Sequence, residues 1–340
     1  MKKFLKKILY LLIGRYTRTR LFWKWDIIKF IGSNKLLTVR GASEYSIAND
    51  FCLYWKGLKP EEQSVLKNGL TKNTDTLSVE NVNNFIQRQI YVESHNVLEQ
   101  NKLFTELELT QQKECSQVIQ KVSKTMNKYE FSFLPSECFY GLSGLRWLPE
   151  KIVERLKGGI FIDVGAYEGD TAIFFKETFS PNQIYAFEPD NKNFEILQKN
   201  CELTEDLIIT PVKLGLAEKD GKARLESKGG ESHLSENEAD QELNLVNFDN
   251  FWNNNNTQNK KKIDLIKMDV EGAEILALEG MKHTIKEYAP VLAISIYHRP
   301  EDFFTIKPWL ADLCPKYKFI IRKASPFSLT GETMLIAFTD

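Results

Sequence analysis

The chain has 340 residues, and at roughly 100–200 residues per domain it has room for one to three domains. Hydrophobic residues make up 42% and charged residues 27% of the chain, close to the composition of soluble globular proteins. No run approaches the roughly 18–20 apolar residues of a membrane span. The composition therefore excludes a polytopic membrane protein and a wholly disordered chain.

The five cysteines are an odd number and include no C-x-x-C pair. A disulfide framework and a thiolate zinc site are therefore not expected. The simplest location for such a chain is a reducing compartment, and we expect a cytoplasmic protein.

Charge is distributed unevenly along the chain. Residues 1–40 hold seven Lys, four Arg and one Asp, a net charge of +10, whereas the remaining residues hold 34 basic and 45 acidic side chains, a net charge of −11. Neutralising nucleic-acid phosphates requires clustered Lys and Arg, which an acidic body lacks. We therefore expect no nucleic-acid partner.

Residues 1–40 form a basic amphipathic head. Its apolar stretch, Ile8–Ile13, is short and is followed by Arg15 and Arg18 instead of a cleavage site, which argues against a signal peptide. Leucines, aromatic residues and cations at helical spacing fit a helix lying in a membrane interface, and a helix docked on the body is the alternative. The expectation is peripheral contact with the inner face of the membrane through residues 1–34.

Residues 41–137 are predicted to be a helical accessory region. Apolar residues recur at a spacing of three to four in Val82–Leu98 and Val118–Met126, and polar connectors such as Lys72–Thr76 separate the helical patterns. No catalytic motif occurs in this region.

After Gly159 short apolar runs alternate with helical patterns, which predicts an α/β domain with a mainly parallel central sheet. The predicted strands are Ile160–Val164, Ile184–Phe187, Leu207–Val212, Ile263–Met268, Val291–Tyr297 and Phe319–Ile321. Between the third and fourth strands we expect a small hairpin turning at Gly221, a polar stretch to Asn244 and a loop at Asn253–Asn256.

The strongest motif is the glycine turn that follows the first of these strands. Gly165 and Gly169 allow backbone to approach a ligand at the carboxyl end of the strand, where open α/β sheets bind cofactors. The spacing lacks the middle glycine of a dinucleotide fingerprint, and Asp163, Glu168 and Asp170 would repel a pyrophosphate. An acidic glycine turn instead suits a cationic ligand such as the sulfonium of S-adenosylmethionine.

Glu188 ends the second strand, where an acid can accept both hydroxyls of a ribose. Dinucleotide enzymes also place an acid there, so this residue alone is not decisive. The alternatives are a solvated loop acid at Glu188 and a helix cap at Asp190.

Four ionisable residues converge at the end of the fourth strand. Lys267 and Asp269 lie two apart and face the same side of the strand, and Glu271 and Glu274 share a helix face. The alternative to a functional site is a Lys267–Asp269 ion pair with acids favouring a helix N-terminus.

His298 follows the fifth strand, which should neighbour the fourth and bring the imidazole beside Asp269. Its ordinary pKa of about 6.5 makes His298 the expected proton acceptor, with Asp269 orienting the acceptor substrate or the methyl end of the donor. A cation held by Asp269, Glu271 and His298 would lower the pKa of a bound hydroxyl, but methyl transfer does not require one, so no metal is expected.

From about Tyr140 to Asp340 the chain resembles the FkbM-like family of S-adenosylmethionine-dependent methyltransferases. The resemblance is carried by Gly141–Pro149, Asp163–Thr171, Phe187–Pro189, Lys267–Glu274 and Tyr297–Pro300. It implies a Rossmann-like class I methyltransferase domain at residues 138–340.

The resemblance also implies S-adenosyl-L-methionine as the cofactor and O-methylation of a sugar, glycan or related metabolite. The cofactor-binding residues would be Asp163, Gly165, Ala166, Tyr167, Gly169, Asp170, Thr171, Glu188 and Pro189. From their placement at the strand ends, the expected catalytic residues are His298, Asp269, Lys267 and Glu271. The partner would be a small-molecule or glycan acceptor, lipid-linked if the head binds a membrane.

Two other classes of function remain open at this point. One is a nicotinamide-dependent oxidoreductase, disfavoured by the missing middle glycine. The other is a non-catalytic, membrane-docked ligand-binding module, disfavoured by the ionisable groups at the strand ends.

Overall fold

The computed structural model describes residues 26–29, 36–39, 42–95, 97–99, 103–204, 206–228, 231–235, 241–255 and 261–340. The strands are β1 (Asp26–Lys29), β2 (Leu36–Val39), β3 (Val97–Glu99), β4 (Ile160–Val164), β5 (Gln183–Phe187), β6 (Ile209–Val212), β7 (Gly215–Leu216), β8 (Gly221–Lys228), β9 (Glu231–Ser235), β10 (Gln241–Val246), β11 (Leu265–Met268), β12 (Val291–Ser295), β13 (Lys318–Lys323) and β14 (Thr333–Phe338).

The helices are α1 (Ala42–Gly57), α2 (Pro60–Thr71), α3 (Thr76–Ser94), α4 (Glu106–Met126), α5 (Ser136–Phe139), α6 (Glu150–Leu156), α7 (Asp170–Phe179), α8 (Asn191–Glu202), α9 (Phe248–Asn255), α10 (Glu274–Glu279), α11 (Lys282–Tyr288) and α12 (Pro300–Leu313). A 3₁₀ segment, Leu142–Trp147, connects α5 to α6.

The central sheet has seven strands in the order β13-β14-β12-β11-β4-β5-β6. Strands β4, β5, β6, β11 and β12 pair in parallel, whereas β14 pairs antiparallel with both β12 and β13. This arrangement confirms the predicted α/β class and the mainly parallel sheet, and all six predicted strands are present. Strand β14 was not predicted.

The sheet is covered on both faces, as its continuous apolar strands require. In β4, Ile162 belongs to a core cluster with Met268 and Phe303, whereas its neighbour Phe161 lies in a second cluster with Phe175. Successive side chains of a strand point to opposite faces, so the sheet separates two apolar layers.

Strand β4 pairs with β5 on one side and with β11 on the other, so the order of strands reverses beside it. The carboxyl ends of the parallel strands around such a reversal form a crevice that binds ligands in open α/β sheets. The loops after β4, β5, β11 and β12 therefore meet at one edge.

The predicted accessory region is mainly helical, with strand β3 as an exception, and it packs against α12. Phe85 of α3 stacks on Phe303 of α12 with ring centroids 4.1 Å apart, and Phe51 of α1 meets Phe304 at 6.0 Å. Helix α3 ends at Ser94, before the predicted end at Leu98, because the chain then enters β3.

The insert between β6 and β11 differs from the prediction. Strand β8 begins at Gly221 and pairs with β9 and β10, so Gly221 starts a strand instead of turning a hairpin. The polar stretch before Asn244 contributes β9 and β10, and residues 253–255 belong to α9 instead of a loop. The composition of the polar stretch indicates a loop, but in the structure it pairs as strands.

Within the predicted head, β1 and β2 pair antiparallel, and β2 also pairs with β3. Residues 26–29 are thus strand where a helix was predicted, while residues 1–25 lie outside the described residues. In the part of the chain that the structure describes, no helix is both long and apolar enough to cross a membrane. All five cysteines are buried and unbridged.

Candidate active site

The glycine turn joins the carboxyl end of β4 to α7. The backbone N–H groups of Gly165 and Ala166 both donate to the carbonyl oxygen of Phe187, at 3.0 and 2.9 Å. Gly165, Tyr167 and Gly169 have positive φ angles of 76°, 50° and 86°. The turn is therefore tightly wound and is held against the end of β5.

Position 165 requires a glycine because the loop that follows β11 lies too close for a side chain. A Cβ atom at this position would lie 1.8 Å from the carbonyl oxygen of Asp269, which is shorter than any non-bonded approach. The sequence indicated that a glycine here lets backbone approach a ligand. The structure adds that the same glycine allows the turn after β4 and the loop after β11 to touch.

Glu188 is buried, with 6% of its surface exposed, so the alternative of a solvated loop acid is wrong. Its two carboxylate oxygens accept the backbone N–H groups of Tyr167 and Asp190, both at 2.9 Å. Burial raises the pKa of Glu188 to about 7. Asp190 caps α8 by accepting from the N–H of Asn193 at 2.9 Å, as one alternative predicted.

Lys267 is buried between β11 and the glycine turn. Its ammonium lies 3.1 Å from Asp163 Oδ1 and donates to the carbonyl oxygen of Gly165 at 2.8 Å. Burial lowers the pKa of this ammonium, but the carboxylates of Asp163 and Asp269 outweigh burial and hold the pKa above its ordinary value. Lys267 therefore pairs with Asp163 and not with Asp269, the partner named in the alternative interpretation.

Asp170 and Thr171 begin α7 and are buried. Asp170 Oδ1 accepts the N–H of Thr171 at 2.7 Å, and burial raises the pKa of Asp170 to about 7. The Thr171 hydroxyl lies 3.2 Å from Cys138 Sγ. Two buried acids, Asp170 and Glu188, thus flank the glycine turn, and each has a pKa of about 7.

The turn also contacts a segment that the motif analysis did not identify. Glu168 accepts hydrogen bonds from the backbone and hydroxyl of Ser132, and its carbonyl oxygen accepts from Asn200 Nδ2 at 2.8 Å. The ring of Phe133 lies 6.5 Å from that of Tyr167. Nothing in the sequence around residue 132 signals this contact, which depends on the fold.

His298 lies in a cluster of carboxylates at the ends of β11 and β12. Its Nδ1 is 2.8 Å from Glu274 Oε1, and its Nε2 is 3.5 Å from Asp269 Oδ1 and 3.4 Å from Glu271 Oε2. Burial of the imidazole lowers the pKa of His298, but the surrounding carboxylates, Glu274 first, raise it well above its ordinary value. We call these four residues the His298 cluster.

The members of the His298 cluster differ in exposure. The side chains of Glu274 and His298 are 1% and 6% exposed, while those of Asp269 and Glu271 are 28% and 43% exposed. Glu274 Oε1 also accepts the N–H of Val270 at 3.1 Å, which fixes the loop after β11. An approaching ligand would therefore meet Asp269 and Glu271 first.

The predicted site residues thus fall into two adjoining groups. The predicted cofactor residues lie at the ends of β4 and β5, with Pro189 half-buried after Glu188. The predicted catalytic residues lie at the ends of β11 and β12. The exception is Lys267, whose side chain pairs with Asp163 of β4. The contact between Gly165 and the Asp269 carbonyl joins the two groups.

Residues 163–322 match the family model of the methyltransferase FkbM domain. The matched segment contains every predicted site residue, from Asp163 to His298. The match confirms the predicted family and, with it, the cofactor S-adenosyl-L-methionine.

Solved structures show the same fold. The crystal structure of methyltransferase FkbM from Methylobacillus flagellatus KT aligns with a TM-score of 0.54 at 19% identity, over 82% of this chain and 59% of that one. The chain therefore spans about three fifths of that protein. No curated protein matches the chain in sequence.

Two archaeal fibrillarins are more distant. The Methanococcus jannaschii protein aligns with a TM-score of 0.38 at 15% identity, over 60% of this chain and 76% of that one. The Aeropyrum pernix protein, solved with natively bound S-adenosyl-L-methionine, has a TM-score of 0.37 at 13% identity, over 59% and 76%. Together with the sheet order, the Methylobacillus structure supports the class I methyltransferase fold.

Proposed function

We propose that the protein transfers the methyl group of S-adenosyl-L-methionine to a hydroxyl group of a sugar, glycan or related metabolite. The observation that carries this proposal is the carboxylate of Glu188, which is buried at the end of β5 and fixed by the N–H groups of Tyr167 and Asp190. A carboxylate has about four lone-pair positions, so two remain for the hydroxyls of a ribose.

The charges around the glycine turn fit a cationic cofactor. Asp163, Asp170 and Glu188 are buried beside the turn, and the nearby ammonium of Lys267 pairs with one of them. The remaining acids lie in surroundings that disfavour an isolated negative charge, which is why their pKa values rise. The sulfonium and ammonium of S-adenosyl-L-methionine would stabilise both carboxylates, whereas a pyrophosphate would be repelled by them.

The chemistry asks the protein to align donor and acceptor and to remove one proton. The acceptor oxygen forms a bond to the methyl carbon while the carbon–sulfur bond breaks, and the sulfonium becomes a neutral thioether. Alignment of two reactants contributes as much as ~7–11 kcal/mol in favourable cases. The hydroxyl proton passes to a group at the acceptor, and general-base catalysis is worth about 10²–10⁴-fold in rate.

The His298 cluster is the proposed destination of that proton. Asp269 and Glu271 are its exposed members and would orient the acceptor hydroxyl, with the imidazole Nε2 less than 4 Å from both. Glu274 fixes the ring through Nδ1. His298 as the base remains a prediction. Burial lowers its pKa but the carboxylates raise it further, so the imidazole must lose its own proton before it accepts one, and its ordinary pKa, on which the expectation relied, does not apply. Lys267 serves as a positioning residue because it is buried and bonded to Asp163 and Gly165.

Calorimetric titration with S-adenosyl-L-methionine, followed by radiolabelled methyl transfer to cellular glycan and metabolite fractions, tests the proposal. We expect saturable cofactor binding and label in an alkali-stable O-methyl product. Binding of a nicotinamide dinucleotide with no affinity for S-adenosyl-L-methionine would overturn the proposal in favour of an oxidoreductase. Cofactor binding with no transfer to any fraction would favour a ligand-binding module.

The proposed location is the inner face of a membrane. Residues 1–25 hold five Lys, three Arg and no acidic residue, and each basic residue is worth about 1 kcal/mol near an anionic lipid surface. Removing residues 1–25 should release the protein from anionic vesicles while sparing cofactor binding, and salt should weaken attachment of the full chain. Equal partitioning of both forms, or equal binding to neutral phosphatidylcholine vesicles, would contradict this location.

A further inference from the structure

We propose that Asp269, Glu271 and His298 bind a divalent cation, with Glu274 holding the imidazole in place through Nδ1. His298 Nε2 lies 3.5 Å from Asp269 Oδ1 and 3.4 Å from Glu271 Oε2. Ligand atoms about 2.0–2.4 Å from a shared cation are separated by distances of this size.

Polar atoms left without hydrogen bonds point to a missing ligand. Among the described residues, His298 Nε2, Glu274 Oε2 and Asp269 Oδ1 are buried and have no hydrogen-bond partner. The side chains of His298 and Glu274 are 6% and 1% exposed, so water does not freely solvate them. Buried polar atoms in native proteins are nearly always paired, and a cation bound between His298 Nε2 and Asp269 Oδ1, which are 3.5 Å apart, would satisfy both atoms.

The local charge balance leads to the same conclusion. Three carboxylates surround the imidazole, and a fourth acid, Asp302, is buried beside Glu274 with its Oδ2 unpaired. Arg299 is half-exposed and lies 3.9 Å from Glu301. Lys267 is committed to Asp163. The excess of negative charge around the imidazole favours binding of a cation with two positive charges.

The ligand types select the class of cation. Carboxylate oxygens suit Mg²⁺, Ca²⁺ and Mn²⁺, and an imidazole nitrogen shifts the preference toward Mn²⁺ and the later first-row metals. The hydrogen bond from Nδ1 to Glu274 would present Nε2 for coordination, which is the usual arrangement for a metal-binding histidine.

The catalytic consequence rests on the proposed function. A cation at this position would lower the pKa of a bound acceptor hydroxyl, and His298 would act as a ligand instead of the base. Cation binding itself does not depend on the methyltransferase activity and is measured without cofactor or acceptor.

Electron paramagnetic resonance of the full chain titrated with Mn²⁺ in chelator-treated buffer tests the site. We expect one saturable Mn²⁺ per chain, with nitrogen modulation from an imidazole in the spin-echo spectrum. In Asp269→Asn the affinity should fall at least about tenfold, and in His298→Gln the nitrogen modulation should disappear. Glu301→Gln removes a nearby exposed carboxylate outside the cluster and should leave affinity and modulation unchanged.

Absence of saturable Mn²⁺ binding to the native chain would overturn the proposal without any variant. Binding without nitrogen modulation, or binding unchanged in both cluster variants, would also overturn it by placing Mn²⁺ elsewhere. Calorimetry with S-adenosyl-L-methionine in the same buffer separates the two proposals. Cofactor binding without Mn²⁺ binding removes only the metal site, and Mn²⁺ binding without cofactor binding removes only the proposed function.

Discussion

Lys267 and Asp163 lie opposite each other on the adjacent parallel strands β11 and β4, and their charged atoms are 3.1 Å apart in the interior of the sheet. The same ammonium donates to the carbonyl oxygen of Gly165, so one side chain ties β11 to the start of the glycine turn. This buried pair fixes the relative positions of the two halves of the site.

Lys267→Met should destabilise the protein by about 3–5 kcal/mol, because it leaves the Asp163 carboxylate buried without a counter-ion. Urea denaturation measures the change. Lys262→Met removes an exposed lysine just before β11 and should cost less than about 1 kcal/mol. If the pair causes the loss, Asp163→Asn combined with Lys267→Met should recover part of it, and an additive double variant would contradict the pairing.

Gly165→Ala should weaken S-adenosyl-L-methionine binding by more than about tenfold, equivalent to about 1.4 kcal/mol. The new Cβ would collide with the Asp269 carbonyl at 1.8 Å, and the φ of 76° disfavours alanine. Calorimetry measures the affinity, with circular dichroism as a check on folding. Gly221→Ala, where no atom lies within 4 Å of the added Cβ, is the matched control, and equal affinity in both variants would contradict the expectation.

Cofactor affinity should fall as the pH drops below about 7. The pKa of Glu188 is raised to about 7 in the free protein, and a bound cation would lower it, so protonation of Glu188 competes with binding on the acid side. The affinity should decrease by up to tenfold per pH unit for this group, with Asp170 adding a second proton of similar pKa.

Calorimetry between about pH 5.5 and 8.5 measures this dependence. Glu188→Gln should bind about 10–150-fold more weakly above pH 7, from a loss of about 1.5–3 kcal/mol, and should show a shallower pH dependence. Glu195→Gln, an exposed acid on α8, should behave like the native chain. A pH-independent affinity in the native chain would remove Glu188 and Asp170 from the cofactor site.

Glu108 should contribute stability that is lost in acid. It accepts a bidentate pair of hydrogen bonds from Arg88, at 2.8 and 2.6 Å, and pairs with buried Lys323. Burial raises the pKa of Glu108, but the two cations outweigh burial and lower it to about 2, against 4.5 unperturbed. A depressed pKa gives stability that is complete above about pH 4.5 and disappears as the pH falls toward 2.

The contribution amounts to at most about 3 kcal/mol from the size of this shift. Urea denaturation at about pH 6 and pH 3 should show it in the native chain and in Glu106→Gln, an exposed acid on the same helix. Glu108→Gln should be less stable at pH 6, because Arg88 and Lys323 lose their shared partner, and should lose less on acidification. Equal acid sensitivity of Glu108→Gln and the native chain would contradict this role.

The sequence predicted the fold wherever the strands are buried on both faces. Such strands need mainly apolar runs, and the run over β4, in which Asp163 is the one polar residue, matches its observed bounds residue for residue. Strand β14 is also completely buried, but it follows β13 without an intervening helix. The prediction relied on strands alternating with helices. It therefore missed β14, which follows β13 in the chain but lies between β12 and β13 in the sheet.

The positions of the site residues were predictable, but their partners were not. Parallel strands bring their carboxyl ends to one edge, which places Glu188, Asp269 and His298 there from the order of the chain alone. The contacts of Lys267 with residue 163 and of Glu274 with His298 depend on strand register and on the path of a tight loop. Sequence spacing carries no information about register, so the alternative interpretation could pair Lys267 only with Asp269, its neighbour in the sequence.

Helix α3 covers one edge of the central sheet, so removing the residues before 138 would uncover that edge. Strand β13 is the edge of the seven-stranded sheet, and two side chains of α3 bond to the backbone of Ile321 in this strand. Ser78 Oγ accepts from Ile321 N at 2.8 Å, and Asn81 donates to Ile321 O at 2.9 Å. A shortened protein starting at residue 138 would expose this edge together with the aromatic surface of α12. Unpaired edges of this kind template association between chains. We therefore expect the N-terminal helices to protect the seven-stranded sheet against self-association, and a shortened protein to be recovered as aggregates even with every predicted site residue intact.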